Sequence, residues 1–201
     1  MLKLSLLAAA ATAIVACGAA AAPSVDAAAP AFKGLASNGE TISLQQFKGA
    51  PVVLEWTNDG CPFVQKHYET GNMQKTQHLA NEAGAVWITV ISSAPGKQGY
   101  ADAARANELT ASRDAEPDFI LLDADGAVGR AYGAKTTPQM ALIDKDGVLR
   151  YEGAIDDKSS TNHASVEGAT NYLLAALTSV NDGMPVAVKE TKSYGCSVKY
   201  E

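Results

Sequence analysis

Cysteine is scarce in this chain: 201 residues hold three, Cys17, Cys61 and Cys196. Val64 stands three positions after Cys61, where a CxxC pair would need its second thiol, so chemistry on adjacent cysteines is excluded. Histidine is limited to three as well. His78 and His163 have no ligand spacing around them, and Cys61 with His67 falls short of the ligand set that a structural or transition-metal site assembles. No metal is expected. Positive charge is short, with 16 Lys and Arg against 22 Asp and Glu and a net charge of −6. Nothing resembles a basic nucleic-acid surface, and nucleic acid is excluded as a partner. The apolar run Leu4 to Val15 is too short for a convincing membrane span. The Pro- and Gly-containing loop Ser92 to Gly99 lacks GxxxxGK followed by Ser or Thr, which excludes a phosphate loop. Asp123, Asp125, Asp144 and Asp146 are turn residues, too closely spaced for a calcium loop of the EF-hand kind.

What is present suits one folded domain with extensions. Hydrophobic residues make up 47% and charged residues 19%, enough apolar content for a sizeable core. The first residues read as a bacterial export signal, with Lys3 ahead of the apolar run. Two cleavage readings compete. Ile14-Val15-Ala16-Cys17-Gly18 resembles a lipobox, in which Cys17 becomes the lipidated first residue. Alternatively, cleavage falls after an Ala-x-Ala within Ala19 to Ala22. Either one leaves Cys61 and Cys196 as the mature cysteines, in an envelope compartment, the periplasm, where disulfides persist. Membrane attachment is expected only through a lipid on Cys17. The expected division is a signal over residues 1–22, a flexible Ala- and Pro-rich tether over 23–30, a domain over 31–180, and an extension over 181–201 carrying Cys196.

Along the domain, Asn38-Gly39 marks a turn in a small entry hairpin between Phe32 and Phe47. Val52 to Trp56 and Val86 to Ile91 are apolar strands, the second rich in β-branched residues. Pro62 to Ala83 predicts a helix, with Pro62 in its first turn and Gly71 as a break or kink. Tyr100 to Leu109 predicts another helix, Phe119 to Leu122 a third strand, and Met140 to Ile143 with Val148 to Tyr151 a hairpin turned by Asp146-Gly147. Val166 to Leu177 predicts a closing helix. Strands alternating with helices argue an α/β fold, a central mixed sheet flanked by helices. Ligand sites in such folds collect beyond the carboxyl ends of the strands, and Cys61 lies just past the first long one.

Three stretches carry a family likeness: LEWTNDGCPFV at the first strand–helix turn, TTPQMALIDKDG at a later turn, and RYEGAIDD after it. In that order they resemble the thioredoxin-like superfamily, and within it the redoxin or AhpC/TSA (peroxiredoxin-like) branch, over Phe32 to Val180. The resemblance implies a thioredoxin-like fold with Cys61 as the nucleophilic cysteine. It implies that Pro138 is cis and faces that cysteine, and that the backbone of Thr137 engages the partner chain. It implies no bound cofactor, peroxide or oxidised protein thiols as substrates, and an external thiol reductant. There are departures. Thr57 lies four positions before Cys61, where a typical peroxiredoxin has its Thr at three, and Asn58 takes the third. Arg130 and Arg150 are both available as the activating arginine.

The candidate catalytic residues are therefore Cys61, Cys196 and Glu55; the candidate substrate-contacting residues are Thr57, Pro62, Thr137 and Pro138. Cys61 sits at a helix amino end, where backbone N–H groups and the helix dipole favour a thiolate. Glu55 stands in an apolar strand at the interval where thioredoxins carry a buried proton-moving carboxylate; the alternative is an exposed strand end or a pair with Lys66. Trp56 and Phe63 either rim the thiol or pack the core, and His67 reads as surface or packing. Lys97 is a further charge near the sheet top, and Asp156-Asp157-Lys158 reads as a charged loop. Tyr194, Val198 and Tyr200 make the tail too aromatic to be bare coil, so it docks back. Cys196 is then either the resolving thiol for Cys61, the partner in a permanent disulfide, part of an intermolecular disulfide, or unpaired. The leading function is an exported thiol oxidoreductase. The other readings are a binding module on the same scaffold and a structural envelope protein.

Overall fold

The computed structural model describes residues 23–201; the expected signal segment, with Lys3, Cys17 and both cleavage positions, lies outside the described residues. Residues 23–30, expected as a tether, are docked on the domain. The Asp26 N–H donates to the Leu149 carbonyl at 2.8 Å and the Ala29 N–H to that of Gly147 at 2.9 Å. The Asp26 carboxylate pairs with Arg150 and Lys189. Backbone groups make most of these contacts, so an alanine-rich composition does not prevent them. Residues 24–30 thus pack on the domain ahead of its expected start at Ala31.

Strands β1 (Lys33–Leu35) and β2 (Thr41–Ser43) form the hairpin that Asn38-Gly39 predicts, with Gly39 at φ 87° in the left-handed region that glycine tolerates. Next come β3 (Val52–Trp56), α1 (Pro62–Glu69), α2 (Asn72–Glu82) and β4 (Val86–Ile91). Gly71, at φ 72°, separates α1 from α2, so the long helix predicted over this stretch breaks at the glycine. Helix α3 (Ala103–Ser112) begins after Tyr100 because Asp102 caps it, accepting from the Arg105 N–H at 2.9 Å. Strand β5 (Phe119–Leu122) matches its predicted bounds and is followed by α4 (Ala127–Ala131), a short helix that sequence reading does not assign. The chain continues as β6 (Thr136–Thr137), β7 (Gln139–Ile143), β8 (Leu149–Gly153), α5 (Tyr172–Asn181) and β9 (Cys196–Ser197). Helix α5 starts at Tyr172 rather than Val166 because Asn171 supplies its cap.

The central sheet has the order β5-β4-β3-β7-β8, with β3 parallel to β4 and antiparallel to β7. Side-chain alternation along β3 divides the interior in two. Val52, Leu54 and Trp56 enter a core with Ile88, Val90, Leu121, Tyr132 and the entry hairpin. Val53 enters the other, with Cys61, Val64, Met73, Trp87, Leu142 and Leu173 under α1, α2 and α5. Burying a Val or Leu side chain contributes about 1.5–3 kcal/mol, and β3 is buried on both faces. The carboxyl end of this strand is therefore a rigid platform for whatever follows it.

Candidate active site

Cys61 is delivered to its place by the turn that leaves β3. The Thr57 N–H donates to the Val90 carbonyl, extending the β3–β4 pairing one step. The Asn58 Oδ1 then accepts from the Gly60 N–H at 2.9 Å, and the Asn58 carbonyl accepts from the Cys61 N–H at 3.0 Å. Gln98, from the loop after β4, donates to the Gly60 carbonyl and fastens the turn from above. Cys61 takes the N-cap position of α1 in extended backbone, with Pro62 at the start of the helix where a missing N–H costs nothing.

The thiol is wholly buried. Its Sγ donates to the Thr137 carbonyl at 3.0 Å and accepts from the Cys196 N–H at 3.4 Å. The Thr137–Pro138 peptide is cis, as the resemblance implies. Strand β9 pairs antiparallel with β6, placing Cys196 opposite Thr137. Both cysteines are free thiols. Burial works against a charge on Cys61, but hydrogen bonds from the Cys196 side chain, the Val64 and Cys196 N–H groups and Thr137 outweigh it, and the thiol is held below its ordinary pKa. Burial and the neighbouring Cys61 push Cys196 up to about 11. Of the two sulfurs, Cys61 is the more acidic.

The tail that brings Cys196 here is fastened along its length. The Glu152 N–H donates to the Lys189 carbonyl and the Thr191 N–H to that of Glu152. Beyond Cys196, the Val198 N–H donates to the Lys135 carbonyl and the Tyr200 hydroxyl to that of Ala134 at 2.8 Å. Gly195, at φ 129°, passes so close to β6 that a Cβ there would collide with the Thr137 oxygen, and only glycine fits.

The Redoxin family model matches residues 24–171. The chain belongs to the redoxin family. Among solved structures, its fold is similar to that of a hypothetical protein from Sinorhizobium meliloti, at TM-score 0.75 and 23% identity, covering 90% of this chain and 97% of that one. An uncharacterized conserved protein from Geobacillus kaustophilus gives TM-score 0.75 and 23% identity over 89% and 93% of the two chains. A protein from Chlorobium tepidum described as a DsbE-type thiol:disulfide interchange protein gives TM-score 0.56 and 21% identity over 78% and 99%. No curated protein sequence matches this chain. Family and fold make this redoxin a thiol oxidoreductase of the thioredoxin-like, peroxiredoxin-like kind.

The remaining predicted residues are placed unevenly around its thiols. Glu55 is buried and does not pair with Lys66; it accepts from Tyr68, Gln77, Trp87 and Thr89. None of these bonds reaches Cys61. Burial raises the Glu55 pKa against the lowering effect of the Tyr68, Trp87 and Thr89 hydrogen bonds. Thr57 is nearly buried, its hydroxyl unpartnered, and the residue lines a small cavity with Tyr68, Thr89 and Ile91. Trp56 packs on Tyr132 in the opposite core and does not rim the thiol. Phe63 stacks against Tyr194 of the tail. Neither arginine touches Cys61: Arg130 lies over the Tyr200 ring, and Arg150 pairs with Asp144 and Asp26. Lys97 is exposed. Among the described residues, no cluster of three or more His, Cys, Asp or Glu is arranged to hold a metal.

Sequence reading missed a second polar group behind the thiols. Lys66, His67 and Asp156 are buried, where a possible partner for Glu55, a surface or packing residue, and a charged-loop position were expected. Tyr194 covers them. Its aromatic neighbours in the tail signalled docking, but nothing local indicated against what.

Proposed function

We propose that this redoxin is an exported thiol–disulfide oxidoreductase of the bacterial cell envelope in which Cys61 is the nucleophile and Cys196 resolves it. The observation that carries the reading is the contact between Cys61 Sγ and the Cys196 backbone, with both sulfurs reduced and unequally acidic. The Cys61 thiolate attacks one sulfur of a substrate disulfide, and the other leaves as a thiolate. Cys196 gives up its proton and attacks Cys61 Sγ, releasing the second substrate sulfur. The substrate gains two electrons, and the protein keeps a Cys61–Cys196 disulfide that an external thiol reduces. Cys196 thus takes the part of the missing CxxC partner. Pro62, Thr137 and Pro138 frame the reacting sulfur, with Thr137 offering its backbone. The bond pattern favours disulfides over peroxide, since no arginine contacts Cys61 and the buried Thr57 hydroxyl makes no hydrogen bond to it.

The test is peptide mass spectrometry after the reduced protein meets glutathione disulfide or a peroxide, with free thiols trapped by alkylation. The expected product is a Cys61–Cys196 bond, and in Cys196→Ser a mixed disulfide that persists on Cys61. Glutathione disulfide should act faster than peroxide. Unchanged cysteines, or turnover that survives Cys61→Ser, would overturn the proposal.

A further inference from the structure

Tyr194 stands two residues before Cys196 and makes more contacts with the scaffold than a tail side chain needs for cover. Its hydroxyl donates to the Asp156 carboxylate and meets His67 Nε2 at 3.1 Å. Its ring centroid lies 5.7 Å from that of Phe63 and 6.4 Å from that of His67, and Lys66 Nζ sits 5.4 Å from it. Phe63, Lys66 and His67 all belong to α1, the helix that Cys61 begins. The grip therefore ties the segment bearing one thiol to the helix bearing the other.

This grip is not an economical way to stabilise a fold. Lys66 is wholly buried, and its ammonium makes one hydrogen bond, to the Lys158 carbonyl at 3.1 Å. Asp156 is 2% exposed, with Oδ2 unpartnered. Buried charges with incomplete hydrogen bonding are costly, and apolar residues of similar volume would often serve stability better. Such a group is understandable where it fixes one geometry among several. His67 is held neutral, its pKa lowered to about 3 by burial and then by Lys66, so it meets the phenol as an uncharged ring. Cys61 is wholly buried, and Tyr194 and Cys196 of the tail pack against the core cluster that holds it, the Cys196 N–H reaching its Sγ.

We infer that Tyr194 is a positioning residue: gripped by Asp156 and His67, it seats Cys196 against Cys61 and, when released, uncovers Cys61. The inference rests on the proposed function for the first half, since seating matters only if the two cysteines exchange a disulfide. The second half concerns access alone. Protein dithiol plus glutathione disulfide gives protein disulfide plus two glutathione thiols, and a looser tail shifts that balance toward the dithiol.

The experiment compares the full mature protein with Tyr194→Phe, Asp156→Ala, Asp156→Asn and the control Tyr132→Phe. Tyr132 likewise donates one hydrogen bond, to the Pro30 carbonyl at 2.7 Å, but in the opposite core. Two readouts are taken: the Cys61–Cys196 equilibrium with glutathione, and the alkylation rate of Cys61 in the reduced protein. Tyr194→Phe and Asp156→Ala should each lower the equilibrium constant by about tenfold, which raises the potential by about 30 mV. Each should also speed Cys61 alkylation by about tenfold. Asp156→Asn, which keeps an acceptor for the phenol, should restore most of both, and Tyr132→Phe should move neither. Tyr194→Phe indistinguishable from wild type, or Tyr132→Phe moving as far, overturns the inference. If wild type forms no Cys61–Cys196 disulfide, the proposed function and the seating role fall together. Unchanged Cys61 alkylation in Tyr194→Phe then sinks the access role as well.

Discussion

Two buried polar centres hang from the end of β3, and they are built in opposite ways. Glu55 is enclosed by Tyr68, Gln77, Trp87 and Thr89, all from elements within the next few dozen residues. Cys61 instead meets Thr137 and Cys196, the second from the tail. The carboxylate has four donors and no solvent. The thiol has one acceptor, backbone donors from Val64 and Cys196, and a second sulfur that arrives with the tail. A closed local cage serves the scaffold. A site assembled across the chain can be opened and shut by moving one segment, which a sulfur alternating between thiol and disulfide requires.

The comparison is broken most forcefully at Gly195. Any side chain there runs into the Thr137 oxygen, so Gly195→Ala should push β9 off β6 while leaving the Glu55 cage intact. Closure of the Cys61–Cys196 disulfide, followed by stopped-flow with an alkylation quench, should slow by about a hundredfold as Cys196 loses its effective concentration. Gly39→Ala is the matched control, because Gly39 also has positive φ but a Cβ there would meet nothing within 4 Å. It should lose about 1 kcal/mol of stability and none of the closure rate. Equal slowing in both would mean that the tail is not what brings the second thiol.

A smaller effect separates the two centres by pH. Burial raises the Glu55 pKa above its ordinary value, so the folded protein binds that proton more tightly than the unfolded chain. Stability from this group is full below the unfolded pKa near 4.5 and is lost as pH rises through the folded value. Glu55→Gln removes the ionisation and keeps an acceptor. The variant should melt higher than wild type at pH 7, each unit of upward shift being worth about 1.4 kcal/mol, and the gap should close below the unfolded pKa. Turnover should change by less than about threefold if the cage is structural. A loss of turnover with unchanged melting would instead make Glu55 the proton carrier expected from its place in the strand.

The scaffold was legible in the sequence where local pattern decides structure. β3 and β4 have their predicted bounds because unbroken apolar runs leave little choice for strands buried on both faces. The break at Gly71 follows from a left-handed turn that glycine fills. The helix starts at Ala103 and Tyr172 shifted because Asp102 and Asn171, not the apolar pattern, set them. β6 and β9 have two residues each and pair across a long stretch of chain, so no local period marks them. The same distance hid Asp156, Lys66 and His67. By type they belong in water, and nothing beside them in the sequence marks them as buried and in contact with Tyr194 of the returning tail. Cys61 could be found from its turn, but the second half of its site depends on long-range docking.

The least effect is expected at Thr57, and it tests the side of the comparison on which that residue falls. Its hydroxyl is buried without a partner, and the residue lines a cavity with Tyr68 and Thr89, two of the Glu55 donors. An unpaired buried hydroxyl is a small burden on the fold, so Thr57→Val, which keeps the branched shape, should hold or raise stability by up to about 1 kcal/mol. The rates with glutathione disulfide and with peroxide should both stay within about twofold of wild type, since the group makes no contact with either sulfur. A tenfold loss confined to peroxide would place the hydroxyl beside Cys61 in the working protein. That outcome would make peroxide the substrate the site is built for, and would move Thr57 from the cage of Glu55 to the centre that opens.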